Sequence, residues 1–224
     1  MNRLTIKDDI KFNLVELKKW EKFEISWNKI ITVVVWKISD REKWVLEKFE
    51  SSVYHSGKIE ALEDSLLTVF DIKDLDIILN KINVEEKFWD YCRKNWKQLR
   101  ELYDVEGFEK VDLYRWEQLE KEYNWKKYKF NLWFCWKEVN CLFHNQHDFI
   151  EIHTNLAWDW YMQKAEDEKW EKLIETVWLL PWSSHKTFNI KWEKEENWNP
   201  KYPIHRYLWG TTGNVWLAIE EYEK

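Results

Sequence analysis

Glycine, proline and cysteine are all scarce in this 224-residue chain, at 4, 3 and 3 residues. Average glycine usage of about 7% would supply roughly 16, so something has taken the place of most turn glycines. The three cysteines (Cys92, Cys135 and Cys141) are odd in number and lack zinc-type spacing. They exclude a disulfide framework and fit a reduced, cytoplasmic protein. No apolar run approaches the ~20 residues of a membrane helix, and the longest, Ile30–Trp36, falls far short. The N-terminus has no apolar segment of the kind a secretory signal carries. Charge of one sign is also missing: 35 Lys+Arg stand against 41 Asp+Glu, a net charge of −6 without a basic stripe. Nucleic acid and membrane are therefore not expected partners. Collagenous and disordered classes are excluded, and the length allows one large domain or two small ones.

Tryptophan is what the chain has instead, with 19 residues. Ser26-Trp27-Asn28-Lys29 stands between two β-type runs, where a hairpin turn calls for glycine. Lys94-Asn95-Trp96 closes a helical pattern where a left-handed cap calls for it. Trp158-Asp159-Trp160, Pro181-Trp182-Ser183 and Asn197-Trp198-Asn199-Pro200 are turn strings of the same kind. An indole on Cβ gives no preference for positive φ. One explanation is UGA codons that the source reads as glycine and a standard alternative table prints as tryptophan. The other is a genuinely Trp-rich protein with stacking platforms for carbohydrate. Trp89, Trp116, Trp133 and Trp216 lie in apolar periodic patterns and read as true tryptophans on either explanation.

Along the chain, Lys22–Ser26 and Lys29–Ile38 read as two strands joined by the Ser-Trp-Asn turn. From about 59 to 124 the pattern reads as helical. Asp71 is placed to cap the segment containing Leu75, Ile77, Ile78 and Leu79; Val84–Leu102 and Val111–Tyr123 supply two further helical patterns. After residue 124 the texture becomes short β-like runs at about 8–12-residue spacing: 141–155, 161–164, 173–180, 185–190, 202–207 and 214–222. The expected architecture is mainly β with α. It has a mixed, largely helical N-terminal region over 1–124 and a β-barrel over 125–224.

Five of the six histidines (His144, His147, His153, His185 and His205) fall in the C-terminal region. Period-2 alternation puts Asn145, His147, Glu151 and His153 on one face of a strand-like run and His144 on the other. A His and a carboxylate inside a barrel, joined by a second His such as His185, form a set that leaves metal positions open to substrate. His147 and Glu151 lie four residues apart, about 13 Å at strand rise. One ion can take both only if the run breaks near Phe149.

At this point the sequence resembles the cupin family. Asn145-x-His147-x3-Glu151-x6-Trp158 keeps the spacing of the family's first motif, with Asn145 at the first His position and Trp158 where Gly belongs. Trp182-Ser183-Ser184-His185-Lys186-Thr187-Phe188-Asn189 keeps that of the second, again with Trp in the glycine position. The resemblance covers 125–224 and implies a double-stranded β-helix, or jelly-roll barrel. It implies a divalent metal (Fe, Mn, Zn or Ni) held by His147, Glu151 and His185. Asn145, in place of a ligand His, leaves three readings: a three-ligand site, recruitment of His144 by a local bulge, or loss of metal. His147 and His185 serve otherwise as core or surface histidines, and Glu151 as a solvent-facing strand residue. His153 and His205 read as structural or substrate-lining, and Arg206 beside His205 suits an anionic substrate at the barrel mouth. Glu166–Lys169 and Glu193–Glu196 read as solvated loops.

Two functional classes follow. One is a metal-dependent enzyme, an isomerase, epimerase or dioxygenase, acting on a small polar substrate such as a sugar or sugar phosphate. The other is a non-catalytic ligand-binding or sensory module whose N-terminal region transmits occupancy or mediates homodimerisation.

Overall fold

The computed structural model describes residues 2–5, 11–40, 44–73, 94, 96–102, 111–116, 118–135, 139–141, 144–167, 169, 172–190, 193–209 and 213–223. The chain divides into two compact units: Met1–Trp89 with Trp182–Ser184, and Asp90–Pro181 with His185–Lys224. The division expected after residue 124 falls instead within a hairpin of the second unit. Among the described residues no helix is long and apolar enough to cross a membrane.

Among the described residues the first unit contains nine strands. They are β1 (Asn2–Thr5), β2 (Lys11–Leu17), β3 (Lys22–Ile25), β4 (Lys29–Val35), β5 (Ile38–Ser39), β6 (Val45–Leu46), β7 (Ser51–Tyr54), β8 (Gly57–Ala61) and β9 (Ser65–Asp71). One sheet has the order β1-β2-β9-β4-β7 and the other β3-β8-β5-β6, antiparallel throughout. The largely helical N-terminal region expected from the sequence is therefore corrected: this unit is a β-sandwich. Its core draws on both sheets, with Val15, Ile31, Val33, Leu67 and Val69 from one and Ile25, Ile38, Ile59 and Ala61 from the other.

The physical reason for the misreading of β9 is visible by comparison with β4, which was read as a strand. Ile30–Val35 and Ser65–Phe70 are buried on both faces, so their side chains show no alternation. A continuous apolar run of this length has the same periodicity whether it is a buried strand or a buried helix. The β-branched residues Ile30, Ile31, Thr32, Val33, Val34 and Val35 favour the strand. Lys22–Ile25 and Lys29–Val35 are strands but not hairpin partners: β3 pairs with β8, and β4 pairs with β7 and β9. The Ser26-Trp27-Asn28 turn carries the chain from one sheet to the other. The expected helical segments at 75–79 and 84–93 lie outside the described residues.

The second unit contains β10 (Lys97–Gln98), β11 (Leu113–Arg115), β12 (Leu119–Tyr123), β13 (Lys126–Cys135), β14 (Ile150–Ala157), β15 (Trp160–Ala165), β16 (Leu173–Leu179), β17 (Ile204–Trp209) and β18 (Asn214–Tyr222). A single helical turn, Leu99–Leu102, lies at the end of the stretch where the helix over 84–102 was expected, with Lys97–Gln98 just before it in a strand. The helix expected over 111–123 is instead β11 and β12, which both pair with β13. The large sheet runs β10-β11-β13-β18-β14 with β12 beside β13, and the small one β16-β15-β17. Residues 185–190, expected as a strand, form an irregular segment.

Period 2 fixes what points inward. Asn131, Trp133 and Cys135 of β13 share a face with Glu220, Ala218 and Trp216 of β18, and with Glu151, His153 and Asn155 of β14. The opposing sheet contributes Trp160, Met162, Leu179 and Tyr207 to the same core. Trp133 and Trp216 are cross-strand partners with rings stacked at 6.3 Å, and Trp160 lies 5.6 Å from Trp216. Each fully buried large side chain of this kind contributes about 1.5–3 kcal/mol. Polar side chains share this interior, with Glu151, His153, Asn155, His185, His205 and Glu220 all buried.

Candidate metal centre

The three histidines that meet are His144, His147 and His205. Each offers a ring nitrogen, and the three lie within 4.8 Å of one another. His144 and His205 are tied by a pair of backbone hydrogen bonds, each N–H donating to the other's carbonyl at 3.0 Å. That bridge places their rings 4.6 Å apart. His147 reaches the pair from the irregular segment before β14, where residues 145–149 are not in a strand. The break falls in the stretch where the strand-rise arithmetic required one. Its effect is to bring His147 to His144 and His205 rather than to Glu151.

His205 is oriented by a further contact: its Nδ1–H donates to the Pro203 carbonyl at 2.8 Å. This leaves the Nε2 lone pair facing His147 Nε2 at 3.2 Å. A carbonyl behind a ligating imidazole is the usual way its tautomer is fixed for a metal. Two ligand nitrogens at 3.2 Å also suit one ion bonded to both at about 2.0–2.1 Å, at a near-tetrahedral angle. Burial, followed by the positive charge of neighbouring histidines, pushes His147 down to about 2. The same causes, burial first, hold His205 well below the usual histidine range. Both rings are neutral at pH 7, the form that binds metal.

Glu151 and His185 are elsewhere. The Glu151 carboxylate meets His153 Nε2 at 3.0 Å and the Tyr207 hydroxyl, while the Glu151 N–H donates to Tyr202 Oη at 2.8 Å. Burial raises its carboxyl to about 7. His185 Nε2 accepts the His153 backbone N–H at 3.0 Å, its Nδ1–H donates to the Lys186 carbonyl at 2.7 Å, and its ring stacks on Phe188. Both its nitrogens are thus engaged with backbone, and it closes the core beneath β14. Of the sequence-derived ligand set, only His147 reaches the three-histidine group.

The residues expected to line the cavity also divide. His205 is itself part of the group. His153 is enclosed by Trp160, Tyr207 and Trp216, with burial pushing it down to about 3 and its Nδ1 lacking a hydrogen-bond partner among the described residues. Asn145 is exposed and lines the outer cleft. Arg206 is turned away, its Nε and Nη2 both donating to Gln163 Oε1 on β15 at 2.9 and 2.6 Å. It is not poised for an anion in the cleft.

That cleft has a volume of about 780 Å³ and includes His147 in its wall. The rest is acidic and amidic: Asp148, Glu195 and Glu196, with Asn145, Gln146 and Asn197. Glu195 and Glu196 were read from the sequence as a solvated loop. They are exposed, as that reading has it, and the loop is held by Glu195 N–H donating to the Asn199 carbonyl and Lys201 N–H to that of Glu193. His144 was placed on the wrong face because alternation was extended over residues that are not in a strand. The string His144-x2-His147, together with His205, was the signal available.

No family profile matches the sequence, and no curated protein aligns with it. Among solved structures the chain is similar to a cupin 2 conserved barrel domain protein from Leptotrichia buccalis, at 12% identity and a TM-score of 0.36. That match covers 98% of this chain and 86% of the other. It is also similar to the oxalate decarboxylase of Lactobacillus farciminis in its formate complex, at 10% identity and a TM-score of 0.33, covering 96% and 78%. A third likeness is to the Bacillus subtilis oxalate decarboxylase, a protein with Mn(II) centres, at 12% identity and a TM-score of 0.32, covering 97% and 70%. Likenesses of this degree decide neither ligand nor reaction.

Proposed function

We propose that the second unit binds one divalent first-row metal through His144, His147 and His205 and acts on a small, polar, uncharged molecule in the adjoining cleft. The observation that carries this reading is the double position of His147, which faces both the other two histidines and the cleft. The donor set fits the ion. Two of the three imidazoles are held neutral by burial, and one is fixed by a carbonyl behind it. A metal held by three imidazoles supplies a Lewis acid with open positions.

The protein's own residues do the rest. Asp148, Glu195 and Glu196 make the cleft repel phosphate and carboxylate groups, and the neighbouring amides offer hydrogen bonds to hydroxyls. A neutral sugar or polyol fits this lining better than a sugar phosphate. Glu151, raised to about 7, hydrogen-bonds Tyr207, whose ring packs edge-on against His205 at 5.7 Å. A carboxyl titrating near neutrality is suited to holding or passing a proton.

The test is metal content and titration with Mn(II), Fe(II), Ni(II) and Zn(II). The expected result is one ion per chain, lost in His147→Ala and in His205→Ala and retained in Glu151→Gln. Retention of the ion in both histidine variants overturns the proposal. The withdrawal of Glu151 from the three histidines favours, as a second reading, a module that binds without turning over. The metal-loaded protein assayed against neutral sugars separates the two.

A further inference from the structure

Eight non-glycine residues among those described have positive φ, and six of them are tryptophan: Trp20, Trp36, Trp125, Trp158, Trp182 and Trp198, at 59–69°. A bulky residue rarely enters this region, and glycine enters it freely. The positions are also those where known turn geometries demand glycine. Asn124-Trp125 forms the two-residue loop of the β12–β13 hairpin, with φ of 48° and 65°. Positive φ at both residues defines the type I′ turn, whose preferred sequence is Asn-Gly. Trp20 is the third residue of a turn closed by Glu21 N–H donating to the Lys18 carbonyl, where positive φ marks type II. Pro181-Trp182 has the proline-then-left-handed order of the same turn. Trp198 is the last residue of the turn closed by its own N–H donating to the Glu195 carbonyl, the left-handed place of a three-residue loop.

The side chains give no reason for tryptophan at these places. Trp20, Trp36, Trp125 and Trp198 are exposed by 54–90%. At Trp158 it is the backbone that is held, its carbonyl accepting from Asn155 Nδ2 and Asn214 Nδ2. Trp133, Trp160 and Trp216 differ on every point, being buried in strands, with Trp216 stacked on Trp133 and packed at a tilt against Trp160. The two populations separate by conformation and by burial together.

We infer that Trp20, Trp36, Trp125, Trp158, Trp182 and Trp198 are glycine in the polypeptide made by the source cell, encoded by UGA codons that its tRNA reads as glycine. Trp133 and Trp216 are tryptophan, encoded by UGG. The inference stands independently of the metal site, since none of the six is a proposed ligand. Trp27 is exposed in its turn, whereas Trp96 and Trp160 are buried, and the assignment does not extend to these three.

The test is peptide mass spectrometry of the protein isolated from its source cells, read beside the coding DNA. Glycine masses at the six positions and tryptophan at 133 and 216 are expected. Tryptophan masses at the six overturn the inference. A recombinant series supplies a second measurement. Trp125→Gly, Trp158→Gly and Trp198→Gly each raise Tm by about 2–4 °C for a chain of this size, while Trp133→Gly and Trp216→Gly lower it. A fall in Tm at all three left-handed positions equally overturns it.

Discussion

Replacing Glu151 by Gln tests the interior of the second unit on two counts. Burial raises the Glu151 carboxyl from 4.5 to about 7. The folded protein therefore keeps a proton that the unfolded chain releases, and stability falls as pH rises through that window. An offset of this size, at 1.36 kcal/mol per pKa unit, amounts to about 3 kcal/mol of destabilisation once the group is fully ionised. Gln keeps the shape and the contacts with His153 and Tyr207 and removes the charge. It also relieves Glu220, which burial and then the Glu151 charge raise to about 7. The expected outcome is that the stability of Glu151→Gln relative to wild type grows by about 2–3 kcal/mol between pH 5 and pH 8. The assay is urea unfolding of chelator-treated protein across that range. An effect independent of pH refutes the account of Glu151 as a buried, proton-holding carboxyl. The same variant, loaded with metal, should keep its full stoichiometry, because the three histidines hold the ion. Loss of the ion would return Glu151 to the ligand set.

Acid should unfold the metal-free protein early. Burial holds His147, His153, His185 and His205 below the usual range, so the unfolded chain takes protons that the folded one refuses once pH drops below about 6.5. Glu151 and Glu220 act in the opposite sense, and the net fall is about 2–3 kcal/mol per pH unit between pH 6 and 5. Unfolding midpoints unchanged over that interval would contradict it. Trp216→Ala removes a buried ring stacked on Trp133 and packed against Trp160 and should cost about 3–5 kcal/mol in denaturant unfolding; a cost below 1 kcal/mol would mean these rings are not part of the core. Arg206→Ala should leave metal and ligand titrations unchanged, since its guanidinium is committed to Gln163; weakened ligand binding would place it at the mouth of the cleft after all.

Strands bounded by turn signals were legible even with both faces buried, and a doubly buried strand inside a longer apolar stretch was not. Asn214–Tyr222 was read with its full extent because turn signals bound it and its residues favour strands. Leu173–Leu179 was read within a residue, its outward side chains exposed along most of its length. Ser65–Asp71 was read as helical because Leu66, Leu67, Val69 and Phe70 are all buried, and burial on both sides erases the alternation on which the reading depends. Leu119–Tyr123 was lost for the opposite reason. Its Leu-Glu-Lys-Glu-Tyr sequence is charged and helix-favouring, and its pairing with Phe130–Lys126 overrides that propensity.

The site divides along the same line, between what a strand's period determines and what an irregular segment does. Asn145, His147, Glu151 and His153 were put on one face by alternation; Glu151 and His153 are there, because β14 begins at Ile150, and Asn145 and His147 precede it. His147 precedes that strand, so its direction is set by the loop and not by the period. The loop is pinned by the His144–His205 backbone bridge, a contact over 61 residues that no local spacing encodes. Once the bridge exists, His144 and His205 become neighbours, and His147, three residues on, can turn back toward both. The spacing of 147, 151 and 185 describes a chain in which the strand continues through Phe149. In the folded protein it starts after Phe149. That shift of a few residues is enough to take Glu151 into the core and to leave His147 facing both the other two imidazoles and the cleft.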